Sequence, residues 1–199
     1  MEKKLSFRFP SARPGLDLLS TVGARGTDTK VERLKAPSDL ARWLFEAGLV
    51  RAPHASLNEG DVERAKKLRE AIYHTVLSRM SGGAVAQDDV QTINRMARVG
   101  SPVKQLTSDG RSLAQVPPDS LEEPGAVYLG QVARDAIDIL SSPLSERIKA
   151  CANPVCQAVF LDLSRPNSRR WCSMGEGGCG NRAKTRARRG RLKESPIKM

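Results

Sequence analysis

Apolar residues recur at three- and four-residue spacing through most of the first 150 positions. That is the period of helices with one buried face. In SDLARWLFEAGLV, Leu40, Trp43, Leu44 and Ala47 share a face, Ser38 or Asp39 stands where a helix is capped, and Gly48 supplies a stop. Residues 58–80 predict a longer helix with Val62, Ala65, Leu68, Ile72, Val76 and Leu77 inward. Its flanks carry Glu63 with Lys67 and Lys66 with Glu70 at i,i+4 spacing. A helix opening at Asp88 or Asp89 buries Val90, Ile93, Met96 and Ala97, and residues 126–142 predict another, with LSERIKA continuing it past Pro143. GLDLLSTVGAR reads as a short helix running into a loop, and LSFRF as a short strand or extended arm.

Two stretches break the helical period. Residues 103–116 alternate around SDG, which predicts a hairpin. After residue 150 the apolar positions thin out to Val159, Phe160, Leu161, Leu163 and Trp171. QAVFLDL predicts one strand, SRPNS a turn and RRWCS the return strand. The fold class expected is mainly α. A helical N-terminal domain with a small β hairpin (residues 1–150) precedes a zinc-bound module of β hairpin and basic helix (residues 151–199).

A module with so few apolar residues needs a staple. All four cysteines lie in it, at Cys151, Cys156, Cys172 and Cys179, in the pattern C-x4-C-x15-C-x6-C. Four thiolates suffice for tetrahedral zinc, one structural ion per chain. Iron–sulfur ligation, two disulfides and unlinked thiols are the competing readings of the same residues. A catalytic zinc is disfavoured, because protein ligands fill all four positions. His54 and His74 are remote in sequence, and no nucleophile–base pair or Gly-rich phosphate loop is visible. The chain does not read as an enzyme.

Charge changes the picture next. Of a formal net charge of +11, residues 165–199 carry +9. A nearly neutral body with a cationic end favours a polyanionic partner. Asn181 is a good helix cap, and a helix from Arg182 would be basic nearly all round. Candidate nucleic-acid contacts are Arg169, Arg170, Arg182, Lys184, Arg186, Arg188, Arg189 and Arg191. A solvated or protein-docking surface, or an anionic membrane surface, would use the same charges; the lack of large apolar residues argues against insertion. No signal peptide or membrane span is expected, and clustered thiols fit the reducing cytoplasm.

SRPNSRRWCSM followed by CGNRAKTRARRGR resembles the CGNR zinc-finger family, with CANPVCQAVFLDLS as its opening half. LDLLSTV, ERLKAPSDLARWLFEAGL, AKKLREAIYHTV, INRMA and YLGQVARDAIDIL are similar to the ABATE domain usually found with it. The resemblance implies a bacterial stress-induced transcription regulator that holds zinc on the four cysteines and double-stranded DNA through the zinc module. It marks Cys179, Gly180, Asn181 and Arg182 as the named motif. The chain departs from the pattern in three places. GEGG lengthens the loop before Cys179, Ser20 stands where Asn is common, and Gln157–Ala158 replace a bulkier step.

The alternative is a small-molecule or protein-binding sensor without direct DNA contact. A pocket for its effector is expected near Arg25, Trp43, Arg69 and Asn94. A homodimer would serve either role, and would strengthen DNA binding through effective concentration.

Overall fold

A computed structural model describes residues 6–52, 56–99, 103–106, 113–116 and 124–194, with 103–106, 113–116, 124 and 190–194 described as backbone. His54, the SDG turn and residues 117–123 of PPDSLEEPG lie outside the described residues.

The body is built on helices. A one-turn helix α1 (Pro14–Asp17) runs into a 3-10 turn (Leu18–Thr21). Then come α2 (Pro37–Glu46), α3 (Glu59–Met80), α4 (Gln87–Ala97) and α5 (Pro124–Leu140). α3 packs against α2, α4 and α5, and α1 lies across α5. The caps follow local chemistry. Asn58 Oδ1 accepts from Asp61 N at 3.1 Å while Asp61 Oδ2 accepts from Asn58 N at 3.0 Å, a reciprocal box at the start of α3. Asp39 caps α2 from inside, accepting from Ala36 N, with Pro37 beginning the helix. Trp43, Leu40, Leu44, Leu68, Ile72, Leu129 and Ile139 fill the core and are fully buried. Leu77, expected inward, is exposed, because it sits at the margin of the α3 stripe.

Among its described residues the body holds two antiparallel hairpins. β3 (Val103–Leu106) pairs with β4 (Leu113–Val116), as the alternation predicts. A second ribbon, β1 (Val22–Gly23) with β2 (Val31–Glu32), closes the GARGTDT loop. Its strands are two residues long, too short to leave a periodic trace.

Past α5 the chain departs from expectation. LSERIKA does not extend the helix. Pro143 begins a 3-10 turn (Pro143–Arg147), whose end leads into β5 (Ile148–Ala150). β5 pairs antiparallel with β6 (Val159–Leu161), in the register Ile148↔Leu161, Lys149↔Phe160, Ala150↔Val159. The partner of QAVFLDL is therefore the segment before the first cysteine, not RRWCS. RRWCS crosses alongside as irregular chain, with Ala152 N donating to Arg170 O at 2.8 Å.

This three-residue hairpin is shared by two cores. Strand side chains alternate between faces. Ile148, Val159 and Leu161 join the body core. Phe160, on the opposite face, packs with Cys151, Cys172 and Cys179. Two further contacts tie module to body. Leu161 N donates to Ser11 Oγ at 3.1 Å, and Gly26 N donates to Val155 O at 3.3 Å. At Gly26 the approach is so close that a Cβ would overlap the Pro154 carbonyl oxygen. The last element is α6 (Cys179–Glu194).

Candidate metal centre and basic helix

Each cysteine reaches the centre from a different piece of chain. Cys151 follows β5, and Cys156 ends a turn in which Cys156 N and Gln157 N both donate to Asn153 O. Cys172 ends the RRWCS crossing, and Cys179 begins α6. The four sulfurs all lie within 4.8 Å of one another. Cys156 Sγ and Cys172 Sγ are 3.8 Å apart. A tetrahedron with Zn–S near 2.3 Å has an edge of about 3.8 Å. A disulfide would need about 2.05 Å, and all four cysteines are free. The residues therefore fit a four-coordinate metal ion.

Donors surround the sulfurs as thiolates require. Asn153 Nδ2 lies 3.4 Å and an Arg182 guanidinium nitrogen 3.2 Å from Cys179 Sγ. Cys156 is pushed down to about 5, first by its hydrogen bond with Cys172 and with help from the Ala158 N–H, against its burial. Cys172 is pushed up by that same bond and by burial, and Cys151 is pushed up by burial. A divalent cation reverses the upward shifts, since its charge replaces the proton the sulfurs otherwise share.

The GEGG insertion closes without opening the site. Gly178 N donates to Gly175 O and Gly180 N to Ser173 O, each at 2.9 Å. The loop turns back on itself and delivers Cys179 to the cluster. α6 then starts at Cys179, three residues earlier than a cap at Asn181 would place it. Asn181 sits within the first turn, where its carbonyl accepts from Thr185 Oγ1 at 3.0 Å. Gly180 is needed for contact: a Cβ there would overlap Met174 Sδ and stand 3.1 Å from the Trp171 ring.

The basic residues divide into two groups. Arg169 turns inward. It donates to Leu161 O and Cys172 O and lies over the Phe160 ring at 4.7 Å, so it braces the module. Arg182 is exposed but engages its own cysteine one helical turn back. Arg170, Lys184, Arg186, Arg188 and Arg189 are exposed, and among the described residues no ion pair holds any of them. Arg191 lies on α6 where the backbone alone is described.

Of the four residues expected around an effector pocket, Arg25 and Arg69 come together at Glu70, while Trp43 lies in the core and Asn94 on α4. Trp43 is a core residue stacked on Phe9, with ring centroids 6.3 Å apart. The Arg25 and Arg69 side chains are 4% and 5% exposed. Arg25 forks onto Glu70 and lies over Tyr73, while Arg69 joins Glu32, Glu70 and Thr21. These ion pairs fasten the β1–β2 ribbon to α3 and engage both guanidinium groups, with Arg25 Nε alone left without a partner among the described residues. Asn94 is exposed on α4, beside a shallow depression shared with Gln91 and Arg98. Sequence spacing could not reveal this, because the partners of Arg69 lie 37 and 48 positions away.

Four converging thiols on a short hairpin and a helix start, seated on a helical body, define a metal-binding finger attached to a larger domain. The ABATE profile, described as "Putative stress-induced transcription regulator", matches residues 12–143, and the CGNR zinc-finger profile matches residues 147–192. The chain belongs to the ABATE family and carries a CGNR zinc finger. Both families are regulatory and non-catalytic, and the assignment supports a transcription-regulator role built on a structural four-cysteine site. A comparison with curated proteins finds no match. Among the described residues no helix is long and apolar enough to cross a membrane.

Proposed function

We propose that this protein is a cytoplasmic transcription regulator that holds one structural zinc ion per chain on Cys151, Cys156, Cys172 and Cys179 and grips double-stranded DNA with α6. The observation that carries the reading is a helix whose first residue belongs to the four-cysteine cluster and whose exposed cations, among the described residues, have no carboxylate partner. Lys184, Arg186, Arg188 and Arg189 on α6, and Arg170 on the crossing segment, offer exposed cations suited to phosphate oxygens. The metal's part is mechanical. It fixes Cys179 against the hairpin, and with it the direction in which α6 leaves the module. Two such modules on a homodimer would hold neighbouring phosphates together.

Metal analysis of protein purified without added zinc is expected to find about one zinc per chain. Duplex DNA followed by fluorescence anisotropy should then bind with a log–log salt slope of roughly −3 to −5, as a handful of phosphate contacts dictates. Changing Arg186 and Arg188 together to Gln should flatten that slope by about 2. Zinc-loaded protein that binds no duplex at low salt sinks the DNA reading while leaving the metal reading intact.

A further inference from the structure

A cleft of about 770 Å³ lies between the body and the zinc module. Its size falls in the range of small-molecule sites. One wall is the N-terminal arm with the β1–β2 ribbon; the other is the turn between the first two cysteines with the GEGG loop. Four arginines and one carboxylate, Glu176, line it. Two of the arginines are occupied, Arg169 by carbonyls and Arg182 by the Cys179 sulfur.

Arg8 and Arg33 remain. Among the described residues neither is paired with a carboxylate. Arg33 Nε donates to Ser6 O at 3.2 Å and a terminal nitrogen to Val31 O at 3.4 Å, both uncharged acceptors. Burial and then the charge of Arg8 lower the Arg33 pKa, against a smaller opposite pull from Glu32 and Cys156; Arg8 and Arg33 line the same cleft. Ser20 supplies an independent observation. It lines the cleft, its residue is 6% exposed, and its hydroxyl has no hydrogen-bond partner among the described residues. A buried, unsatisfied hydroxyl is costly unless something bonds to it. Val22 and Val155 add apolar surface on facing walls.

We propose that this cleft binds a small organic anion, an apolar group bearing a carboxylate or phosphate, with its charged end held by Arg8 and Arg33. The charge of the head group is matched by the two guanidinium groups, and its remaining oxygens give Ser20 an acceptor. The apolar part lies between the two walls. Nothing in this inference requires DNA.

The test is a titration of the full, zinc-loaded, nitrogen-15-labelled chain with benzoate and with phenyl phosphate, in the absence of DNA. Benzamide is the neutral control. Saturable shifts of the Gly23, Gly26, Gly177 and Gly178 amides are expected with at least one anion, and binding of benzamide about tenfold weaker. The preferred anion identifies the head group. Arg33→Gln should weaken binding about tenfold, and Arg8→Gln, on the arm, at least about threefold. Zinc content is measured in each variant, because Arg33 also feels the Cys156 sulfur. If Arg33→Gln loses metal, Arg8→Gln decides. No saturable binding below roughly 10 mM, equal binding of benzamide, or affinity unchanged in the deciding variant overturns the proposal. Failure here leaves the DNA reading standing, and failure on duplex DNA leaves this one standing.

Discussion

Two buried aspartates are driven in opposite directions by their surroundings. Asp17 accepts from Ser11 N at 2.8 Å and Arg13 N at 3.0 Å, yet burial dominates and raises its pKa to about 6. Burial also pushes Asp162 up. There it is outweighed by Ser164, by the Arg169 N–H and by Lys149 Nζ at 3.0 Å, which together hold the carboxyl well below the usual range. The linkage signs differ accordingly. Asp17 contributes stability that is fully present below about pH 4 and is lost as pH rises through about 6. Asp162 contributes stability present above about pH 4 and lost as the medium becomes more acid. Asp17→Asn should therefore remove part of the decline in stability between pH 4.5 and 7, read by urea unfolding at several pH values. An unchanged pH slope would show that Asp17 is not the titrating group. At this scale the sequence told ligands from solvent-facing cations only in part. Four thiols in 29 residues announce themselves through their rarity. Arg169 does not, because its acceptors are main-chain carbonyls, which every residue possesses.

Elements were legible where the period had room to repeat. α2 to α5 each carry at least two turns of apolar spacing, so their existence follows from the pattern. β5 has three residues, and Ile-Lys-Ala after a helix reads as more helix. Only the pairing with β6 decides it, and pairing is not a local property. The alternation on β6 has a measurable counterpart. Leu161→Ala should cost about 2–5 kcal/mol of body stability and leave zinc affinity near the parent value. Phe160→Ala, on the opposite face, should cost about 3–5 kcal/mol and weaken zinc retention, measured by competition with a chromogenic chelator. If both variants lose zinc equally, the two faces do not serve separate cores. The same short-range limit explains the effector pocket. Arg25, Trp43, Arg69 and Asn94 are polar or aromatic residues next to apolar segments, but three of them are consumed by ion pairs and packing formed across the fold.

For the whole molecule, the charge asymmetry read from the sequence survives as a spatial one: the exposed cations of α6 stand on the module, not the body. What the sequence could not display is how closely the two parts are joined. Gly26 against Pro154, Ser11 against Leu161 and the shared hairpin leave little freedom for the module to swing. The hairpin that serves both cores also has a consequence for the lifetime of the protein. A metal that binds only the folded chain adds about 1.4 kcal/mol of stability for every tenfold excess of free ion over its dissociation constant. Because β5 and β6 also floor the body, that stabilisation is not confined to the finger. Chelation should lower the melting temperature of the whole chain in one transition, followed by the helical circular dichroism that comes chiefly from the body; a body that melts unchanged after chelation would refute this. Stripped of metal, the chain would spend more time open to proteases. Zinc supply would then set how many copies of the regulator persist, as well as how many are able to act.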